Sequence, residues 1–62
     1  MKKVRWIKVQ FDYLQGKGRA FWVSERNPYF DWYKRSSAWI VLREEIRYYD
    51  DNGKLVKVEK VV

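Results

Sequence analysis

A chain of 62 residues with neither cysteine nor histidine must hold itself together by packing alone. A domain this small buries only about 60% of the surface its unfolded chain exposes. Disulfides or a Cys/His zinc site are the usual reinforcement at this size, and both are excluded. What the chain has instead is four Trp, five Tyr and three Phe, 19% of its residues. Each such ring buries roughly 150–250 Å², so a few can replace a larger aliphatic core. One domain, residues 1–62, is all that this length supports.

The same two absences bear on chemistry. Without His or Cys the chain lacks the commonest general base, the thiolate nucleophile and the usual transition-metal ligands. There is no Thr, and Ser24, Ser36 and Ser37 have no evident activating neighbour. Glu44 and Glu45 are adjacent, but on a strand they point to opposite faces; Asp50-Asp51-Asn52-Gly53 is turn chemistry. These features predict a non-enzymatic protein with no cofactor and no metal site. The longest apolar run, Ala38 to Leu42, is far short of the roughly 20 residues of a spanning helix. Met1-Lys2-Lys3 has no apolar stretch behind it to make a signal peptide. A soluble chain without a membrane role, cytoplasmic by default, is the expectation.

Charge is unevenly placed. The formal net charge is +6, and residues 1–35 carry nine basic against three acidic side chains while residues 36–62 carry five of each. Nine of the twelve aromatic residues also lie in the first part. A basic, aromatic half favours polyanionic or otherwise acidic partners.

Periodicity organises the chain into ββαββ. Residues 2–15 alternate with Ile7, Val9, Phe11 and Tyr13 on one face, a half-buried strand. Gly16-Lys17-Gly18 makes a three-residue loop, with Gly18 left-handed, into a second strand over 19–26. That loop pairs Tyr13 with Phe21, Phe11 with Val23, Asp12 with Trp22 and Gln10 with Ser24. Asn27-Pro28 stops the strand. Asn27 as N-cap, Pro28 at the first helical position, Asp31 early and Lys34-Arg35 late predict a short helix over 28–35, with an irregular aromatic loop as the alternative.

Residues 38–50 fit a helical stripe of Trp39, Leu42, Ile46 and Tyr49, but Ile-Val and Tyr-Tyr composition favours a strand. As a strand, Ala38, Ile40, Leu42, Ile46 and Tyr48 face inward, broken only by Glu44. A 51–53 loop ending on a left-handed Gly53 then leads into a last strand. It pairs Tyr48 with Val56, Ile46 with Val58, Leu42 with Val62, Arg47 with Lys57, Glu45 with Glu59 and Glu44 with Lys60. The fold class is therefore mainly β: two antiparallel hairpins around a short helix or aromatic loop, curled into a small barrel or half-barrel because so short a helix covers little of a flat sheet.

The candidate site is the outward face of the first hairpin. Trp6 and Trp22 are placed to stack on bases, while Lys8, Lys17, Arg19 and Arg26 are placed to meet phosphates. Rings set between cations suit single-stranded nucleic acid in particular. The opposing reading buries both Trp residues in a second small core. Lys17 to Val23 fits part of the basic-Gly-aromatic signature of RNA-recognition modules, but Arg19 and Trp22 depart from it; an ordinary Gly turn and strand accounts for the segment. Tyr29 to Arg35 reads as a lid on the core, with an aromatic cage for methyl-lysine or a Pro-rich groove as the alternative. The rival function is a scaffold or protein-interaction mini-domain, natural or designed, consistent with the agreement among local signals. An acidic protein surface is the alternative partner. The last strand, rich in Leu and Val with Lys54, Lys57 and Lys60 as guards, invites homo-oligomer formation through its edge.

Overall fold

The computed structural model describes residues 1–11 and 19–61. Alternation of apolar and polar residues produces the strands β1 (Lys2–Phe11), β2 (Phe21–Ser24), β3 (Trp39–Tyr49) and β4 (Leu55–Lys60), and a short helix, α1 (Phe30–Arg35), lies between β2 and β3. The 38–50 segment thus forms the strand Trp39–Tyr49 and not a helix. The four strands form a single antiparallel sheet in the order β2-β1-β3-β4. The sheet is open, with β2 and β4 at opposite edges, so the closure into a barrel is not present. Long β1 and β3 pair along nearly their whole length, from Lys2 opposite Tyr49 to Phe11 opposite Trp39. That pairing sets the two hairpins side by side in one layer.

Paired residues share a face, so the register assigns every side chain to one side of the sheet. The first side is packed by α1. Ile7 and Val9 are fully buried there with Val23 and Phe30, and Tyr33 and Trp39 close over them. The Trp39 ring lies 5.2 Å from both Phe11 and Tyr33 and 5.5 Å from Phe21, tilted or edge-on to each. Of the rings in the 28–35 segment, Phe30 is buried and Tyr33 half-buried, while Tyr29 and Trp32 are exposed. The segment is a lid with two rings left outside.

The helix begins later than Asn27-Pro28 suggests. Tyr29 is the N-cap and makes no side-chain cap. Asn27 Oδ1 instead accepts from Tyr29 N at 2.8 Å, and Asn27 O accepts from Phe30 N at 3.0 Å. Asn27 therefore shapes the turn that leads into the helix.

The strand registers correct the sequence reading in three places. Phe21 lies opposite Val9 and Val23 opposite Ile7, not Tyr13 and Phe11; Trp22 faces Lys8 and Ser24 faces Trp6. The slide is an even number of residues, which leaves each side chain on its expected face, so alternation cannot detect it. It stacks Ile7, Val9 and Val23 beneath Phe30. The expected loop at 16–18, with its left-handed Gly18, lies outside the described residues, as do residues 12–15 of the expected first strand.

Second, the β1–β3 register shifts between Lys8 and Val9: Lys8 faces Arg43, Val9 faces Val41, and Leu42 is the extra residue of a bulge. This inverts the phase of β3. Trp39 and Val41 point to the helix side and Ile40 to the other, the reverse of the expected inward set Ala38, Ile40 and Leu42. Glu44 and Ile46 keep the expected side. Third, Tyr49 faces Leu55 as the 51–53 loop requires, but a shift at Tyr48/Tyr49 then sets Tyr48 opposite Lys57, Arg47 opposite Val58, Ile46 opposite Glu59 and Glu45 opposite Lys60. The expected pair Leu42–Val62 lies outside the described residues, and the expected pairs Tyr48–Val56, Ile46–Val58 and Glu44–Lys60 are overturned. So are the like-charged pairs Glu45–Glu59 and Arg47–Lys57. The bulge puts Glu45 beside Lys60, which removes two repulsive contacts.

The turn is as expected. Gly53 has φ +82°, its N–H donates to Asp50 O at 3.0 Å, and Asp50 Oδ1 accepts from the N–H groups of Asn52 and Lys54, each at 2.9 Å.

Candidate nucleic-acid interface

The side of the sheet away from α1 is built from β1 residues Lys2, Val4, Trp6 and Lys8, β2 residues Trp22 and Ser24, β3 residues Arg43, Glu45, Arg47 and Tyr49, and β4 residues Val58 and Lys60. No helix of the described residues packs on it. Trp6, Lys8 and Trp22, three of the six expected site residues, meet there as half-buried neighbours. Arg26, in the turn after β2, is exposed and lies beside Trp6 and Ser24. Arg19 is exposed ahead of β2. Lys17 lies outside the described residues.

The residue that organises this side, Arg47, was not among the expected site residues. Its guanidinium lies 4.5 Å from the Trp22 ring centre and 4.8 Å from that of Trp6, reaching from β3 across β1 to β2. Lys8 Nζ approaches Trp22 from 6.0 Å. The Trp6 indole N–H donates to Tyr49 Oη at 3.1 Å. Arg47 Nε also donates to Glu45 Oε1 at 2.7 Å, and Arg43 Nε donates to Glu45 Oε2 at 3.1 Å. Glu45 is only 5% exposed. Burial alone would push its carboxyl pKa up, but the hydrogen bonds and charges of Arg47 and Arg43 outweigh that and hold it below the usual carboxylate range. The alternation Arg43-Glu45-Arg47-Tyr49 was the sequence signal for this array.

Glu44, on the helix side, is equally buried and meets Arg5 Nε and Lys34 Nζ, each at 3.5 Å. The two adjacent glutamates are therefore separated by the sheet, each between two cations. Among the described residues no group of His, Cys, Asp or Glu could hold a metal ion. At the end of the open side is a cleft of about 700 Å³ walled by Val4, Trp6, Ser24 and Tyr49, with Lys2 and Arg26 on its rim and Asp50 and Asp51 at the turn.

By register, the open side carries Lys2, Lys8, Arg43, Arg47 and Lys60 against the single strand carboxylate Glu45, and Arg26 lines the cleft beside Trp6. The helix side of the strands nearly balances: Lys3, Arg5 and Lys57 face Glu44 and Glu59. The surplus charge is therefore concentrated where the two Trp rings are. No family model matches the chain, and neither the curated proteins nor the solved structures contain a significant match. No helix among the described residues is long and apolar enough to cross a membrane.

Proposed function

We propose that the chain is a non-enzymatic binding module that engages nucleic acid, single strands in preference to duplex, across the open side of its sheet. The observation that carries this reading is the concentration of six cations on the side of Trp6 and Trp22, with the buried Glu45 as the only carboxylate on the described strands there and Asp50 and Asp51 at the turn. Lys8, Arg26, Lys2 and Lys60 stand around the rings, where they meet phosphates; Arg19, exposed ahead of β2, adds to the set, and Lys17, outside the described residues, keeps the phosphate role proposed from the sequence. Trp6, Arg47 and Trp22 form a row of planar groups, and bases stack on guanidinium planes as well as on rings.

Trp fluorescence during titration with single- and double-stranded oligonucleotides at two salt concentrations tests this. Non-specific nucleic-acid affinities are typically in the range of about 1–100 μM and weaken steeply with salt. Lys8→Ala and Arg26→Ala should each lower the salt slope by about one for both substrates. Trp22→Phe should weaken single strands more than duplex. Absence of binding at about 50 mM salt into the tens of micromolar sinks the proposal.

The second reading, a protein-interaction domain, draws on a different part of the surface. Leu55, Val56, Val58 and Val61 are all exposed at the β4 edge.

A further inference from the structure

We infer that β4 is a self-pairing edge, and that two copies of the chain join antiparallel through it about a two-fold axis at Val58.

The sheet has two edges of different character. β2 is four residues long, whereas β4 runs over six residues, all of them exposed. Leu55, Val56 and Val58 of the strand, and Val61 just past it, are each 44–48% exposed, so the edge leaves apolar surface uncovered. A strand of this kind carries a row of outward amide groups ready for another strand.

Backbone geometry limits which partner strand fits. Val61 N–H donates to Glu44 O at 2.9 Å, so Val61 directs its amide groups toward β3. Along an antiparallel strand these directions alternate, which turns Glu59 and Lys57 toward β3 and leaves Val58 and Lys60 pointing outward. A second β4 must therefore place outward residues opposite outward residues. With Val58 opposite Val58 of the second copy, the flanking pairs are Lys57 with Glu59 and Glu59 with Lys57. Both are unlike charges in the closely spaced, non-hydrogen-bonded positions. Sliding by two residues of pairing in one direction sets Lys57 against Lys57, and in the other direction Glu59 against Glu59. A further slide opposes Lys60 to Lys60. The lysines that guard this edge against indiscriminate pairing thus select one register of self-pairing.

Antiparallel partners keep side chains of opposed residues on one side of the sheet. The two-fold axis then continues the four-stranded sheet into one of eight, with the basic open sides of both copies facing the same way. This assembly depends only on the edge, and its test is independent of nucleic-acid binding.

The experiment is sedimentation equilibrium on the full chain at about 0.3 M salt, where repulsion between copies of charge +6 is screened. Wild type should dimerise reversibly. Lys57→Glu and Glu59→Lys, each of which opposes like charges twice, should raise the dissociation constant about tenfold or more. The double variant Lys57→Glu/Glu59→Lys restores both unlike pairs and should return the constant to near the wild-type value. Lys54→Glu makes the same change of net charge as Lys57→Glu but lies outside the pairing segment, so it should leave dimerisation unchanged. Circular dichroism confirms that each variant is folded. A monomeric wild type at millimolar concentration, single reversals that dimerise like wild type, or a folded double variant that stays monomeric would each overturn the inference.

Discussion

Replacing Arg47 by Met should be among the most damaging single changes on the open side of the sheet, although the position is on a strand's solvent face. The guanidinium lies over two indole rings, at 4.5 and 4.8 Å, and holds Glu45 at 2.7 Å. Its side chain is one-fifth exposed, so each cation–π contact falls between the surface and desolvated cases and contributes about 1 kcal/mol. The charge-assisted hydrogen bond to Glu45 adds about 1.5–3 kcal/mol, because its loss leaves a buried carboxylate with Arg43 as its only strong partner. Met preserves most of the stem's apolar cover. The expected loss is therefore about 3.5–5 kcal/mol, a large part of the roughly 3–9 kcal/mol that a chain of this length holds at about 0.05–0.15 kcal/mol per residue. Urea unfolding followed by Trp fluorescence measures it, with Arg35→Met on the exposed face of α1 as a control expected to change stability by no more than about 0.5 kcal/mol. Combining Arg47→Met with Glu45→Gln should cost less than the sum of the single variants by about 1–3 kcal/mol. Equal losses for Arg47→Met and Arg35→Met would refute the reasoning, since the stack would then contribute nothing beyond surface charge.

Two further outcomes follow from local geometry. Gly53→Ala should lose about 1–2 kcal/mol through strain alone, because φ is +82° and an added Cβ meets nothing within 4 Å; thermal denaturation checks this, and an unchanged midpoint would contradict it. Glu45 is ionised more readily in the folded chain than at its ordinary value of 4.5, so the unfolded chain takes up the proton first as pH falls. The stability it confers is complete above the ordinary carboxylate range and is lost as pH drops through the lowered folded value. Glu45→Gln should therefore flatten the acid limb of a stability–pH curve below about pH 4.5, and an equally steep limb in the variant would dismiss the assignment.

Local signals carried the element types and failed at the pairings. The Asp50 to Lys54 run has side-chain and Gly chemistry specific to its turn, and Tyr49 duly faces Leu55. Ile-Val and Tyr-Tyr composition likewise marked β3 as a strand. The β1–β2 register escaped because a slide of even length preserves every face. The break at Glu44 looked like an ion-paired exception within an otherwise regular strand. It is one, with Arg5 and Lys34 as its partners in place of Lys60; the phase change lies at Leu42, where the bulge reverses which of residues 39–41 face inward. A bulge inside an apolar run leaves no mark in the sequence until the partner strand is known, and the partner, β1, is remote in sequence. The same distance hid Arg47. Trp6, Lys8 and Trp22 could be grouped by alternation within one hairpin, whereas Arg47 reaches them only because β1 and β3 are neighbours.

The location of Arg47 also connects stability to charge. With six helical residues, the chain covers one side of its central strands with rings and aliphatic groups. The other side carries flat groups, two indoles with a guanidinium across them, in place of an apolar lid, and Val4 is buried on that side. A guanidinium used as cover brings a positive charge with it, and Glu45 offsets only one of the two arginines that hold it. Cation-rich shielding of that side therefore adds to the field that the proposed polyanion would meet. Stability and binding should separate by position: substitutions at the margin, at Lys8 or Arg26, act on affinity and salt dependence, while substitutions in the Trp6–Arg47–Trp22 row act on folding and binding together. A module whose row could be replaced by aliphatic side chains with binding intact would owe its affinity to the marginal lysines and arginines alone.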